Sequence, residues 1–209
     1  MSKSISYGIT VCNELEEITK LLNFLQQRIT EEDEIVIQYD EINVTPEVLD
    51  YLKIMDQMHS NHTVVGFPLN KDFASFKNNL KSHCTKDYIF QIDADEIPSE
   101  FMVENLGTVL ERNPVDLVFV PRINTVEGLT EKHIKQWGWR VDDQNRVNFP
   151  DYQTRIYRRT DDITWMNKVH ERITGYNNFS NFPASDEWCL THHKTIGKQE
   201  QQNSFYETI

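Results

Sequence analysis

Three acidic residues close together offer the clearest chemistry in this sequence. Asp93, Asp95 and Glu96 follow directly after the apolar run Tyr88-Ile89-Phe90-Gln91-Ile92, which has the composition of a buried strand. Carboxylate oxygens are hard ligands, and Mg²⁺ or Mn²⁺ is usually held by one or two of them together with phosphate oxygens of a substrate. An Asp-x-Asp is equally compatible with a solvated loop that begins a helix. The predicted elements around these acids therefore have to decide between the two interpretations, a metal site and a surface loop.

The elements that position these acids alternate between strand and helix through the first part of the chain. Apolar runs predict five strands, at Ile5–Val11, Ile35–Ile37, Thr63–Phe67, Tyr88–Ile92 and Asp116–Val120. Between them apolar residues recur at helical spacing, and Thr45, Asp72 and Ser99 stand where N-caps are expected. This alternation predicts an α/β fold with a mostly parallel sheet flanked by helices. Ligands of such sheets bind beyond the carboxyl ends of the strands, which is where Asp93 and Asp95 lie.

The pattern changes after about residue 122. Short extended runs rich in polar residues follow, and all four tryptophans lie among them, namely Trp137, Trp139, Trp165 and Trp188. We predict two halves, 1–122 and 123–209, packed as one domain, with the second half a small mixed extension. Arg155–Arg158 and Ile163–Trp165 are predicted to pair as a hairpin. The first three tryptophans either fill the core of the second half or present a face for sugar rings, and core filling is the commoner role.

The composition disfavours several classes of protein. The 209 residues include 33 Asp and Glu against 21 Lys and Arg, a formal net charge of −12. Such a charge disfavours binding to nucleic acid or to anionic membranes. The sequence shows no apolar stretch long enough to span a membrane, no secretory signal, and no zinc or disulfide pattern among its three cysteines. We therefore expect a cytoplasmic protein without a membrane span.

Glycine usage excludes the common phosphate-binding loops. The 7 glycines include no Gly-x-Gly pair and no Gly-x₄-Gly-Lys loop, so the backbone has no standard cradle for a pyrophosphate. If a diphosphate binds here, its charge has to be neutralised in another way. A divalent metal held by carboxylates is the obvious route.

Six segments of the sequence form a recognisable series when taken in order. They are Ile9-Thr10-Val11-Cys12-Asn13-Glu14, Phe73-Ala74-Ser75-Phe76-Lys77-Asn78, Ile92-Asp93-Ala94-Asp95-Glu96, Pro150 to Arg158, Trp165 to Glu171, and Leu190-Thr191-His192-His193-Lys194. In this order they resemble the family 2 glycosyltransferases of the GT-A fold, including small phage and bacterial members. The resemblance covers most of the chain, and the order of the segments makes it more specific than any one of them.

The resemblance implies a nucleotide-sugar donor, with a UDP-sugar favoured, bound over the first half of the sheet. The residues expected to contact it are Val11, Cys12, Asn13, Glu14, Asp40, Lys77, Asp93, Ala94, Arg155, His170 and Lys194. The sequence departs from the family at the second strand, where the usual aspartate aligns with either Gln38 or Asp40. Arg155 and Lys194 are expected to counter the charge of the diphosphate.

The resemblance also implies a metal-dependent reaction with inversion at the anomeric carbon. Asp93, Asp95 and His192 are the expected ligands of Mn²⁺ or Mg²⁺, with Asp95 the more direct carboxylate. His192 is chosen over His193 because neighbouring residues of a strand point to opposite faces. Glu171 is the candidate base for the acceptor hydroxyl.

Other roles and other functions remain open from the sequence. Asp151 is the second-choice base, and Glu96 orients the sugar or begins a helix. A nucleotidyltransferase would need a glycine-rich, basic first loop, which Ile9 to Glu14 does not provide. An inactive nucleotide-sugar-binding module would predict a broken acid pair, but Asp93 and Asp95 are both present. The acceptor, whether glycan, protein or nucleic-acid base, is not indicated.

Overall fold

The computed structural model describes residues 2–206, with side chains through Ser204. Eleven strands occur in this part of the chain: β1 (Ile5–Val11), β2 (Glu34–Asp40), β3 (His62–Phe67), β4 (Tyr88–Asp93), β5 (Glu96–Pro98), β6 (Leu117–Glu127), β7 (Val147–Arg158), β8 (Thr164–Met166), β9 (Arg172–Thr174), β10 (Phe179–Asn181) and β11 (Leu190–Thr195). The α-helices are α1 (Leu15–Gln26), α2 (Pro46–Met58), α3 (Phe73–His83), α4 (Glu100–Arg112), α5 (Glu131–Trp137) and α6 (Ile196–Tyr206).

Nine of these strands form one sheet in the order β3-β2-β1-β4-β7-β6-β11-β5, with β10 paired to β6. The neighbours β3, β2, β1 and β4 are parallel, and β6 is parallel to both β10 and β11. The predicted α/β fold with a mostly parallel sheet flanked by helices is therefore confirmed. Strands from both sides of residue 122 belong to this one sheet.

The helix starts follow from local sequence. The carboxylate of Asp72 accepts a hydrogen bond from the Ser75 N–H (2.9 Å) and begins α3, and the Ser99 hydroxyl accepts one from the Met102 N–H (3.1 Å) and begins α4. Both predicted N-caps are confirmed. Helix α2 begins at Pro46 after Thr45, whose side chain makes no capping hydrogen bond.

Successive strand residues face opposite sides of the sheet and build two cores. Ile35 and Ile37 pack with α1, α2 and α4 on one face, whereas Val36 packs with α3 on the other. Trp165 is 4% exposed and belongs to the second core, which agrees with the core-filling role. These cores fix the strand ends, and with them the residues that follow each strand.

The second half inserts a long antiparallel strand into the sheet. β7 pairs with β4 on one side and with β6 on the other, so the predicted hairpin of Arg155–Arg158 with Ile163–Trp165 is wrong. The residues of the second run instead lead into β8, which pairs with β9 in a separate two-stranded sheet. β6 also continues to Glu127, beyond the predicted end at Val120, because β11 pairs along its last six residues.

None of the helices described between residues 2 and 206 is both long and apolar enough to cross a membrane.

Candidate active site

A cavity of about 580 Å³ opens at the carboxyl ends of β1, β2 and β4. Its volume is in the usual range of small-molecule sites. Twelve of the site residues expected from the sequence line it: Val11, Cys12, Glu14, Asp40, Lys77, Asp93, Ala94, Asp95, Arg155, Glu171, His192 and Lys194. Asn13 and His170 are not among the described lining residues. The structure thus brings together residues that lie up to 183 positions apart, from Val11 to Lys194.

The wall beside β1 and β2 is built from carboxylates that hold the backbone. Glu14 Oε2 accepts hydrogen bonds from the N–H groups of Cys12 (2.8 Å) and Asn13 (3.0 Å). Burial, together with the nearby charges of Glu14 and Asp40, raises the pKa of the Cys12 thiol to about 11. This thiol therefore stays protonated at neutral pH and serves as a packing group in the wall.

Asp40 reaches the cavity, whereas Gln38 does not line it. The Asp40 carboxylate accepts hydrogen bonds from Asn43 Nδ2 (2.6 Å) and from the Leu69 N–H (3.1 Å), which ties β2 to the turn after β3. Gln38 is fully buried, and its amide donates to the Phe76 carbonyl oxygen (2.7 Å). Of the two residues that align with the family aspartate, Asp40 is therefore the one available to a ligand.

Five charged side chains at the base of the cavity form a connected group, which we call the buried ion cluster: Asp93, Glu96, Arg122, Asp151 and Arg155. The Glu96 carboxylate is 0% exposed and accepts hydrogen bonds from Arg155 (2.5 Å) and Arg122 (2.7 Å). Arg122 also donates to Asp151 through Nε (3.0 Å) and Nη2 (2.7 Å). Removing a carboxylate from water costs free energy unless opposite charges compensate it. The two arginines around Glu96 supply that compensation and so allow its burial.

Asp93 has both carboxylate oxygens engaged with protein. Oδ1 accepts a hydrogen bond from the Thr10 hydroxyl (2.9 Å), and Oδ2 accepts one from Arg155 Nη2 (2.7 Å). Burial alone would raise its pKa, but the charges of Arg155 and Lys77 outweigh burial and hold the pKa of Asp93 well below its usual range. Asp93 is thus an ionised side chain in a fixed orientation.

Arg155 is committed to the ion cluster. It is 3% exposed and contacts both Asp93 and Glu96. Burial would lower its pKa, but these two carboxylates raise it, so the guanidinium stays charged. A diphosphate countered by Arg155, as expected from the sequence, would compete with Asp93 and Glu96 for the guanidinium. The contact that the structure shows directly is the one that positions Asp93.

Asp95 and His192 contact each other in the wall of the cavity. The distance between Asp95 Oδ2 and His192 Nε2 is 3.1 Å, and the other ring nitrogen lies 2.8 Å from Asn124 Oδ1. The amide of Asn124 is oriented by Asp151, which accepts a hydrogen bond from its Nδ2 (2.8 Å). His192 Nδ1 therefore meets an acceptor and carries a proton. His193 is exposed and lies on the other side of β11, near the Thr125 hydroxyl (2.9 Å).

This arrangement leaves His192 Nε2 in front of a second acceptor, the Asp95 carboxylate. Two conditions make that contact favourable: a second proton on the ring, or a cation shared by the nitrogen lone pair and the carboxylate. A histidine that binds a metal normally donates its other N–H to an oxygen in this way. The pair therefore fits a divalent metal, although the residues described include no cluster of three or more His, Cys, Asp or Glu arranged around an ion.

The charge of Asp95 is favoured by its neighbours. Burial would raise its pKa, but the contacts with His192 and Lys194 outweigh burial and lower it. Lys194 Nζ lies 3.9 Å from Asp95 Oδ2 and donates a hydrogen bond to Gln202 of α6 (2.8 Å). Burial lowers the pKa of Lys194 despite the nearby carboxylate of Asp95. α6 thereby forms part of the wall above Asp95.

Glu171 enters the cavity from the turn between β8 and β9. Its Oε1 accepts a hydrogen bond from Lys77 Nζ (2.5 Å), and the Lys77 ammonium lies 4.5 Å from the centre of the Trp165 ring. Asn78 fixes this turn to α3, because it exchanges hydrogen bonds with the backbone of Trp165 (2.8 and 2.9 Å). Among the described residues, no side chain bonds Oε2 of Glu171, so that oxygen is available to a ligand.

Sequence reasoning missed Asn124 among the residues that line the site, assigned no individual role to Gln153, and left Trp139 between core filling and a face for sugar rings. Arg122 and Asn124 are two positions apart on β6, so they face the same side of the sheet. Had the strand been extended beyond Val120, this period of two would have identified Asn124. Gln153 had no such local signal, because its position depends on where β7 enters the sheet.

The comparisons with known proteins agree with this architecture. The model of glycosyl transferase family 2 matches residues 6–184, and the chain therefore belongs to that family. The resemblance stated from the sequence is confirmed. Among curated protein sequences, none matches this chain significantly.

Solved structures show the same fold. The crystal structure of S. aureus TarS 1-349 in complex with UDP-GlcNAc has 17% sequence identity and a TM-score of 0.63, covering 93% of this chain and 59% of that one. The complex of the same protein with UDP gives 16% identity and a TM-score of 0.62, covering 91% of this chain and 60% of that one. This chain thus spans about 60% of the length of those TarS chains.

Proposed function

We propose that this protein is a metal-dependent inverting glycosyltransferase, which moves a sugar from a nucleotide-diphosphate donor to an acceptor hydroxyl. The observation that carries the proposal is the Asp95–His192 contact beside Asp93, at the carboxyl edge of the sheet in a family 2 chain. A UDP-sugar is the favoured donor, and the TarS structures with UDP and UDP-GlcNAc support that choice. The three unpaired cysteines suit a reducing compartment, so we place the reaction in the cytoplasm.

The donor is assigned to residues 1–122 and the acceptor to residues 123–209. The nucleotide lies against Val11, Cys12 and Asp40, which face the cavity at the ends of β1 and β2. This orientation brings the diphosphate to the acids after β4 and the sugar towards β6, β7 and β11. Lys77 and Lys194 supply positive charge at the two sides of that path.

A divalent metal, Mn²⁺ or Mg²⁺, would be held by Asp95 and His192 with Asp93 beside them. When bound, it supplies a Lewis acid that stabilises the negative charge developing on the leaving diphosphate. The buried ion cluster contributes by holding Asp93 ionised and oriented before the donor arrives, which is electrostatic preorganisation. Asn124 keeps the His192 ring in the orientation that exposes Nε2.

In the reaction, the acceptor oxygen attacks the anomeric carbon while the bond from that carbon to the diphosphate oxygen breaks. The attacking hydroxyl loses its proton, and Glu171 is the residue we assign to accept it at Oε2. Asp151 is the weaker candidate, because Arg122, Asn124 and Gln153 already donate hydrogen bonds to it. Attack opposite the leaving group inverts the configuration.

The test is donor turnover with and without Mn²⁺, using a panel of nucleotide sugars first ranked by thermal shift, because a bound donor stabilises the native state. Asp95→Asn is expected to reduce metal-dependent turnover by at least about 100-fold while the fold is retained. Glu171→Gln is expected to reduce transfer strongly while leaving donor affinity near that of the wild type. Asp143→Asn, which removes one exposed carboxylate outside the cavity, is the matched control.

Three outcomes would overturn the assignment or one of its residue roles. Normal turnover by Asp95→Asn would remove the metal site from the mechanism. Donor binding without any turnover, in the presence of Mn²⁺, would favour the alternative of an inactive nucleotide-sugar-binding module. If donor affinity collapses in Glu171→Gln, Glu171 is a binding residue and not the base.

A further inference from the structure

Two tryptophans form an aromatic surface beside the cavity. The rings of Trp137 and Trp139 lie 4.7 Å apart at 52°, and His133 stacks on Trp137 at 5.2 Å and 13°. Both indoles are half-buried, and α5, which carries Trp137, has no buried residue. Neither tryptophan belongs to the two cores. Core packing therefore does not account for large apolar rings at this position, and contact with a ligand would.

The backbone holds the two rings in place. Thr130 and His133 form a capping box at the start of α5, and Gly138 ends the helix in the left-handed conformation (φ 64°). The next turn is tied to the start of β7, because the Arg140 N–H donates to Asn148 Oδ1 (2.9 Å) and the Asn148 N–H donates to the Arg140 carbonyl oxygen (2.8 Å). The aromatic surface is thus preorganised, which reduces the entropy that a ligand loses on binding.

Trp139 connects this surface to the candidate active site. It lines the cavity of about 580 Å³ and also a second, open pocket of about 730 Å³. The second pocket is completed by Lys132, His133, Gln136, Trp137, Glu200, Asn203 and Ser204. It lies on the side of β6, β7 and β11, whereas Cys12 follows β1 and Asp40 ends β2 on the opposite half of the sheet. The aromatic surface therefore lies beside the half of the sheet that is assigned to the acceptor.

The chemistry of the second pocket suits a sugar. Aromatic faces carry partial negative charge and attract the C–H groups of a pyranose ring. Gln136, Asn203 and Ser204 offer amides and a hydroxyl that match sugar hydroxyls. Nucleic-acid bases also stack on tryptophan, but a protein with a net charge of −12 repels their phosphates.

We propose that Trp137 and Trp139 bind the acceptor, and that the acceptor is an uncharged oligosaccharide extending from the cavity into the second pocket. This inference rests on the proposed function, because it names the substrate that receives the sugar. It selects a glycan from the three acceptor classes that the sequence leaves open. Trp139 contacts the unit nearest the reaction, and Trp137 contacts a unit further along.

Binding is tested by NMR of the ¹⁵N-labelled indole N–H groups, titrated with cellotetraose, chitotetraose, maltotetraose and mannotetraose. The signals of the four tryptophans are assigned by single Trp→Phe changes. At least one tetrasaccharide is expected to shift the Trp137 and Trp139 signals and leave Trp165 and Trp188 unmoved. Trp165 is buried and Trp188 packs against Phe101 and Phe182, so both are internal controls. If no tetrasaccharide shifts the pair, or if a ten-residue oligothymidylate shifts it instead, the proposal is overturned.

Turnover separates this inference from the proposed function. With the tetrasaccharide that binds, Trp137→Ala and Trp139→Ala are expected to lower kcat/KM for transfer by about tenfold, mainly through KM. Transfer of the sugar to water, which needs no acceptor, should stay within about twofold of the wild type in Trp137→Ala. Phe179→Ala removes an aromatic ring that is 58% exposed elsewhere and should change neither rate. If the wild type and both variants hydrolyse the donor, and both variants keep the acceptor KM of the wild type, only the aromatic subsite is rejected. If the wild type turns over no donor at all, the proposed glycosyltransferase activity is rejected.

Discussion

The buried ion cluster and the Asp95–His192 pair lie side by side but are built differently. In the cluster, Glu96 and Arg155 are almost fully buried, and each charge contacts at least one opposite charge within the protein. In the pair, a carboxylate and a ring nitrogen face each other at the surface of the cavity. The cluster, whose charges are paired within the protein, is suited to hold a fixed geometry. The Asp95–His192 pair, which faces the cavity, is suited to bind a ligand. Mutations in the two regions should therefore differ in what they damage.

The largest effect is expected from Arg155→Met. Removing one partner from a buried ion pair leaves Glu96 and Asp93 poorly compensated, which should lower the free energy of unfolding by about 3–5 kcal/mol. Urea denaturation followed by circular dichroism measures the loss. Arg158→Met is the matched control on the same strand, because Arg158 pairs with Asp116 with 36% of its side chain exposed, and its removal should cost less than about 1 kcal/mol. Equal losses in the two variants would mean that the cluster is not a special stabilising unit.

The reverse pattern is expected from His192→Gln. Donor turnover should fall about 10–100-fold, as is usual when a residue that holds or orients a metal is changed. The free energy of unfolding should fall by only about 1 kcal/mol, since the changes are confined to one hydrogen-bonded group. His193→Gln is the matched control one residue away on the opposite face of β11. If His193→Gln reduces turnover as much as His192→Gln, the effect is not specific to the Asp95–His192 pair, and the assignment of that pair to ligand binding is wrong.

A smaller effect probes the cavity wall near β1. Because the Cys12 thiol has its pKa raised to about 11, its thiolate fraction, and hence its alkylation by iodoacetamide, should rise about tenfold from pH 8 to pH 9. A thiol with an ordinary pKa would show a rise of about threefold over the same interval. Mass spectrometry measures the rate at Cys12, with Cys12→Ser as the control for labelling elsewhere. A threefold rise would show that this wall is more open to water than the structure indicates.

The sequence was informative wherever the signal was local. The strands β1 to β4 follow from apolar runs, and Asp72 and Ser99 cap their helices through contacts three residues away. The acids after β4 also fall at the predicted edge of the sheet. In each case a segment of about ten residues contains the whole physical cause.

The rest of the site depends on contacts between distant residues. Lys77 and Glu171 are 94 positions apart, and Arg155 and Asp93 are 62 positions apart. The alternation of side chains along β7 indicates a strand but does not indicate which strands pair with it. The predicted hairpin was wrong for this reason. For the same reason the sequence did not indicate that Arg155 contacts Asp93 and Glu96.

The position of β7 has a consequence for the order in which the protein can assemble during synthesis. β4 and β6 are made first, yet they are not neighbours, because β7 has to enter between them. Until residue 158 has left the ribosome, one edge of β4 and both edges of β6 have open backbone groups that can pair with another chain, because β10 and β11 are synthesised later still. Nascent chains that stall between β6 and β7 are therefore the species most exposed to aggregation, and in them Asp93 has not yet met Arg155.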